Sequence, residues 1–230
     1  TIEAYVEALC RQIGKEAKGF VDHKVRTVFV GGGTPSLLTP GQMERLLSAV
    51  RSGYDFDDGA EVTAECNPGT LDGEKLAGYR RAGINRLSIG LQSAHDGELE
   101  SLGRIHDYRT FLRNYDQARK AGFSNINIDL MSALPGQSLE SWMDTLEKTA
   151  ALGPEHISAY SLIIEEGTPF FDRYGQNGRE SGTGKWPPLP DEELDRKMYE
   201  ETERFLRKKG YFRYEISNYA RPGYECRHNI

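Results

Sequence analysis

Three cysteines are all that 230 residues contain: Cys10, Cys66 and Cys226. They are too few and too scattered for a disulfide framework or a zinc site. Apolar runs are short as well. None approaches the ~18 residues of a membrane helix, and no signal peptide opens the chain. Basic charge is in deficit, with 29 Lys and Arg against 35 Asp and Glu. That argues against a nucleic-acid protein held by counterion release. The chain therefore reads as cytoplasmic and reduced, with no nucleic-acid partner and no stable membrane insertion. Hydrolase signatures are missing too: there is no Gly-x-Ser-x-Gly elbow and no Ser-His-Asp order. The five histidines, His23, His95, His106, His156 and His228, show no metal-ligand spacing, so no metal ligand is assigned. A charged fraction of 28% excludes wholesale disorder. The length suits one large domain or two small ones. Glycine is what the chain has in plenty, 25 residues, which asks for many turns or for close backbone approach to a ligand.

Apolar periodicity alternates strands with helices. Val25 to Val30 reads as a strand ending in Gly31-Gly32-Gly33, followed by Thr39-Pro40-Gly41-Gln42 as a helix start with Thr as N-cap. Strands over Glu61–Cys66, Asn85–Gln92, Asn125–Met131 and His156–Ile164 follow. Helices lie between them, and a Gly- and Pro-rich loop runs from Gly175 to Pro190 before a last helix capped by Asp191. Such βα repeats mean a parallel sheet, open or rolled. Three successive strands choose between the two. Val62, Ala64 and Cys66, then Leu87, Ile89 and Leu91, then Ile126, Ile128 and Leu130, are apolar on one face, while the other face is small or polar. Strands covered by helices on both faces are apolar on both. A barrel with an outer helix layer and a roomy polar lumen fits the pattern better than a solvent-facing antiparallel sheet. The two ends read as those of a piece of a longer protein, because the first residues already look like the middle of an amphipathic helix.

In such a barrel the chemistry sits at the C-terminal ends of the strands. There the sequence places Gly31-Gly32-Gly33-Thr34-Pro35-Ser36, Glu65 with Asn67, Gln92, Asp129, and Glu165-Glu166. The glycine run lacks the P-loop lysine and the third Rossmann glycine. It is either a tight turn or a backbone cradle for a charged ligand group. Glu65 and Asp129 point into the lumen, where a lone carboxylate costs several kcal/mol unless it is paired or hydrogen-bonded. Pairing with Arg86 or Arg104 is one solution. Contact with a ligand rich in hydroxyl and amino groups, such as a ribose with an amino-acid tail, is the other, and Gln92 would join it. His106 follows Leu102-Gly103-Arg104-Ile105 and is within reach of the mouth. Small residues at Ser88 and Gly90 predict an open, polar, water-containing cleft between the strands that carry Glu65 and Asp129.

Six segments occur together in one order. They are Gly31-Gly32-Gly33-Thr34-Pro35-Ser36, Glu65-Cys66-Asn67-Pro68-Gly69-Thr70, Leu87 to Ser93, Leu102 to His106, Asp129 to Gln137, and Ala159 to Pro169. Together they resemble the oxygen-independent coproporphyrinogen III oxidase-like family of radical S-adenosylmethionine proteins. Glu-Cys-Asn-Pro-Gly-Thr and Glu-Glu-Gly-Thr-Pro-Phe are most similar to its haem chaperone branch. The resemblance implies an α/β fold, a partial (βα)6 barrel of parallel strands, with the first strand and the cluster loop outside the sequence given. It implies that residues 1–230 are the barrel core, with most of a C-terminal domain absent after about 210. It further implies S-adenosylmethionine, a [4Fe-4S] cluster and haem or a porphyrinogen as ligands, and respiratory haem acceptor proteins as partners. Carried over by motif, Gly32, Gly33 and Thr34 receive the amino-acid end of the cofactor, and Glu65, Gln92, Arg104 and Asp129 complete the pocket. Arg104 enters by resemblance only. The family's Cys-x3-Cys-x2-Cys is missing, so this chain as given cannot ligate the cluster. Two activities stay open, haem delivery and radical decarboxylation of coproporphyrinogen III.

Overall fold

The computed structural model describes residues 1–175 and 186–230. Helix α1 (Ile2–Glu16) leads into strand β1 (Lys24–Val30) and α2 (Pro40–Gly53) into β2 (Asp55–Cys66). Next come α3 (Gly73–Ala82), β3 (Arg86–Gln92), α4 (Asp96–Ser101), α5 (Tyr108–Lys120) and β4 (Ile126–Ser132). The order ends with α6 (Leu139–Ala151), β5 (His156–Ser161), α7 (Pro169–Tyr174), α8 (Glu192–Lys208), β6 (Phe212–Arg213) and β7 (Asn218–Ala220). The helix ends follow local chemistry. Thr39 and Gln42 form the expected capping box on α2, Asp191 accepts from the Leu194 amide, and Gly83 closes α3 with φ 98°. Of the loop expected from Gly175 to Pro190, residues 176–185 lie outside the described residues.

The seven strands form one sheet in the order β1-β2-β3-β4-β5-β7-β6. β1 to β5 pair parallel in chain order, whereas β7 joins β5 and β6 joins β7 antiparallel. The all-parallel expectation thus needs amending at its far edge. β6 and β7 are two and three residues long, too short to leave an alternation in sequence. Curled into a half-barrel, the sheet carries its helices on one side. Leu87, Ile89, Ile126 and Ile128 are fully buried there with Tyr79, Phe111 and Trp142 of the helix layer. Each such side chain removed from water contributes about 1.5–3 kcal/mol. The opposite face holds the polar set.

The last residues return beneath the open side of the curl. Arg227 donates from its guanidinium to the Gly59 carbonyl at 2.9 Å. Its amide meets buried Glu61 at 3.4 Å. His228 stacks on Phe29 of β1 with ring centres 4.9 Å apart. The Cys226 amide in turn donates to Tyr214, just past β6, at 3.1 Å, so residues 221–230 join the two ends of the half-barrel at the foot of the strands, where no strand pairing does so among the described residues.

Candidate functional site

The glycine run leaves β1 with Gly32 and Gly33 at φ 84° and 64°, a region that side chains with a Cβ enter only under strain. The turn is braced from behind. Asn67 donates from its amide to Ser36 Oγ at 3.0 Å and from Nδ2 to Thr34 Oγ1 at 3.3 Å. The Lys75 ammonium holds the carbonyls of Ser36 and Thr70, each at 2.8 Å. Glu65, at the end of β2, accepts the Gly32 amide at 2.9 Å. A Cβ on Gly31 would sit 3.1 Å from the Glu65 carboxyl carbon and 2.6 Å from the Phe29 ring. Glycine here is a close-approach residue as well as a turn residue.

Strand register then places Glu65 opposite Ser88, and Gly90 opposite Asp129. Asp129 accepts from Ser88 Oγ at 2.9 Å and from Asn127 Nδ2 at 2.7 Å. Burial pushes its carboxyl up from the ordinary value, while those two hydrogen bonds and the Arg86 charge pull the other way. Among the described residues neither Glu65 nor Asp129 forms an ion pair with Arg86 or Arg104. Arg86 is itself only 2% exposed, and its Nε, like the Oγ1 of neighbouring Thr63, has no hydrogen-bond partner among the described residues.

Gln92 reaches the lumen by an irregular route. The register slips between Gly90 and Gln92, and Gln92 has φ 72°. Strain of this kind outside glycine concentrates at functional sites. Its amide folds back over Gly90, so a Cβ there would lie 2.8 Å from Gln92 Nε2. The void expected over Gly90 is therefore filled from within, by the strand's own terminal side chain. Tyr160 of β5 donates to Gln92 Oε1 at 3.0 Å, which leaves the Gln92 nitrogen free to donate. Burial, the neighbouring Asp129 charge and to a lesser degree Glu65 push the Tyr160 phenol up to about 12, against the pull of Arg104. Half-buried Arg104 thus lies in the same electrostatic neighbourhood as Tyr160 and buried His106, whose Nε2 is 3.3 Å from the Leu91 carbonyl. His106 is buried, and desolvation lowers its pKa from the ordinary value. Exposed Glu165 and Glu166 lie outside this group.

One polar neighbourhood thus links Glu65, Gln92, Asp129 and Arg104, with Gly32 tied to it through Glu65. Tyr160 and Asn127 belong to it and are absent from the sequence-derived set. Asn127 lies on the polar face of β4 and Tyr160 within the Ala159 to Pro169 segment, so each carries a signal in the sequence. Two clefts adjoin the helix layer, the second of them lined by Gly31, Gly32 and Thr34 of the glycine run. One of about 740 Å³ runs over α4, α5 and α6 past His95 and Pro135, and an apolar one of about 410 Å³ lies under α1 against Val28, Gly32 and Leu47.

A family model, the radical SAM superfamily, matches residues 2–149. The chain belongs to that superfamily. It is 39% identical over 227 residues to the heme chaperone HemW of Escherichia coli K12, covering 98% of this chain and 57% of that protein. It is 41% identical over 206 residues to the mitochondrial radical S-adenosyl methionine domain-containing protein 1 of Mus musculus, covering 90% of this chain and 45% of that protein. The solved structure of coproporphyrinogen III oxidase, HemN, from Escherichia coli superposes with a TM-score of 0.82 at 29% identity, over 97% of this chain and 49% of that one. The chain spans about half the length of the relatives it matches.

Superfamily membership implies S-adenosylmethionine and an iron–sulfur cluster, and the residues answer differently for each. Two carboxylates, an amide nitrogen free to donate and a glycine turn suit a molecule with an ammonium and hydroxyls. The cluster does not fit the donors at hand. Cys66 is buried in the helix layer with its thiol pushed up to about 12 by desolvation, and Cys10 and Cys226 lie on α1 and on the returning tail. Among the described residues no group of three or more His, Cys, Asp or Glu is arranged to hold a metal ion, and no helix is long and apolar enough to cross a membrane.

Proposed function

We propose that residues 1–230 form the S-adenosylmethionine-binding barrel core of a cytoplasmic haem chaperone that delivers haem to respiratory proteins. The observation that carries the reading is the acceptor pair Glu65 and Asp129 on parallel strands, Glu65 bonded to the Gly32 amide, with no arginine paired to either among the described residues. Gly32, Gly33 and Thr34 receive the amino-acid end of the cofactor, whose ammonium adds to the contact that Glu65 already makes with the Gly32 amide. Asp129 and Gln92 take up hydroxyl and ring groups, and Arg104 closes the mouth. When bound, the cofactor supplies hydrogen-abstraction chemistry. What the chain's own residues do is bind it, orient it and keep water from it. Relatives named as heme chaperones, aligned along nearly the whole chain, support the haem-handling half of the reading.

The fold likeness to HemN favours a second reading, oxidative decarboxylation of coproporphyrinogen III. One experiment separates them. The full-length protein, reduced under anaerobic conditions, is incubated with haem and, in parallel, with coproporphyrinogen III. Retention of one haem per chain without decarboxylation is the expected outcome. Formation of protoporphyrinogen would transfer the assignment to the oxidase.

A further inference from the structure

A line of hydrogen bonds climbs the lumen from the returning tail to Asp129. The Cys226 amide donates to the Tyr214 hydroxyl at 3.1 Å, and that hydroxyl lies 2.7 Å from His156 Nε2. His156 Nδ1 lies 2.6 Å from Asn127 Oδ1, and Asn127 Nδ2 reaches both Asp129 Oδ1 and Ser88 Oγ at 2.7 Å. The position of each proton follows from the top. A charged carboxylate only accepts, so the Asn127 nitrogen faces Asp129 and its oxygen faces His156. That oxygen calls for a proton on His156 Nδ1, which leaves Nε2 to accept from Tyr214. The Tyr214 oxygen then accepts from Cys226. Turning any one member around sets two donors or two acceptors against each other in a buried place. The line therefore has a single polarity, and it needs a neutral imidazole.

The surroundings meet that need. Burial and the Arg86 charge push His156 down to about 3. Charged and titratable groups face the line from each packed element. Arg86 acts from β3, Glu65 from β2 and Tyr160 from β5, while Cys226, itself beside Glu61, and Asn229 bear on Tyr214 from the tail. Asn127 is 2% exposed and His156 fully buried, so solvent does not replace a lost partner.

We infer that Asn127, His156 and Tyr214 are positioning residues for Asp129, and that through them cofactor binding at the top of the lumen is coupled to docking of the tail at its foot. The inference rests on Asp129 being a cofactor contact, as proposed above. Coupling is reciprocal: if a docked tail raises the affinity for cofactor, bound cofactor tightens the tail by the same factor.

The test uses the full-length protein and S-adenosylmethionine itself. Affinity is measured by equilibrium dialysis between about pH 5.5 and 8, and hydrogen exchange at the Cys226 amide is followed with and without the cofactor. Tyr214→Phe, which removes one oxygen, should raise Kd by roughly fivefold, the equivalent of one buried hydrogen bond. His156→Phe should raise it more. His156→Gln should recover most of the loss, because a glutamine can donate to Asn127 and accept from Tyr214. In the unaltered protein the cofactor should slow exchange at Cys226, and in Tyr214→Phe it should not.

Asp129→Ala is the reference. Should it weaken binding while Tyr214→Phe and His156→Phe bind like the unaltered protein at every pH, the positioning role is overturned. Unchanged exchange at Cys226 on cofactor binding overturns the coupling to the tail. Unchanged affinity in Asp129→Ala shows instead that the site itself was misassigned, and the inference falls with it. If His156→Phe does not fold, Tyr214→Phe and the exchange measurement still decide the matter.

Discussion

The upper and lower halves of one lumen are built from the same strands and behave as opposites. At the foot, buried Asn127, His156 and Ser158 satisfy one another and close on Tyr214 and Asn218, and the tail seals them in. At the top, Glu65 and Asp129 each keep acceptor capacity beyond the contacts they make. Gln92 is held by one hydrogen bond and sits on strained backbone. Satisfied buried networks rigidify, whereas acceptors left open cost stability until a ligand meets them. On the proposed function the lower half is foundation and the upper half receptor, within two or three residues of the same strand.

The contrast breaks most visibly at Asn127. Asn127→Leu should lower unfolding stability by about 2–4 kcal/mol in urea titration, since it strips one buried hydrogen-bond partner each from His156 and Asp129. A loss below about 1 kcal/mol would mean that the foot is not the foundation. Next in size is Asp129→Ala. It should weaken S-adenosylmethionine binding by about 1.5–3 kcal/mol, as for a charge-assisted hydrogen bond, and barely move the ligand-free melting point. A melting point that collapses while affinity holds would assign Asp129 to the foundation instead.

Acid sharpens the comparison, because the halves carry opposite signs. Folded His156 stays neutral down to about 3, whereas unfolded it titrates near 6.5. Below about 6.5 the unfolded chain therefore binds the extra proton, and this contribution to stability falls as the pH drops towards 3. The Asp129 carboxyl is raised in the fold, so it takes up its proton earlier than the unfolded chain does, and its contribution grows as the pH falls. His156→Gln should accordingly gain on the unaltered protein between about pH 7 and pH 4.5, read as the difference in urea midpoints. A constant difference would refute the assignment of acid sensitivity to the foot.

The smallest effect belongs to Gly90→Ala. Its Cβ must displace the Gln92 amide, the flexible end of a side chain, so stability should change by less than about 1 kcal/mol while affinity falls several-fold. Equal affinity would show that the folded-back Gln92 takes no part in binding.

Much of this was legible in sequence because it is written in local spacing. Alternation along β3 and β4 separated Leu87, Ile89, Ile126 and Ile128 from Ser88, Asn127 and Asp129, and the caps at Thr39 and Asp191 follow from residue type alone. Strand β2 begins at Asp55, six residues before Glu61, where its apolar alternation starts. Its polar opening, Asp-Phe-Asp-Asp-Gly, is strand only because β1 offers Lys24 and Val25 as partners. His106 carried no mark to tell a buried histidine from a residue at the mouth. The slip before Gln92 and the filling of the space over Gly90 could not be read either, since parity assumes an unbroken ladder.

By itself, then, the sequence determined which face of each strand is polar, where the chain turns and which carboxylates lie at the strand ends, since period and residue type decide these within a few residues. Only the tertiary structure decided that His156 is a neutral link, that Tyr214 and Cys226 extend it and that the tail crosses back to Glu61. Those contacts join residues 12 to 166 positions apart. Their energy exists only once the sheet has curled and water has left the lumen.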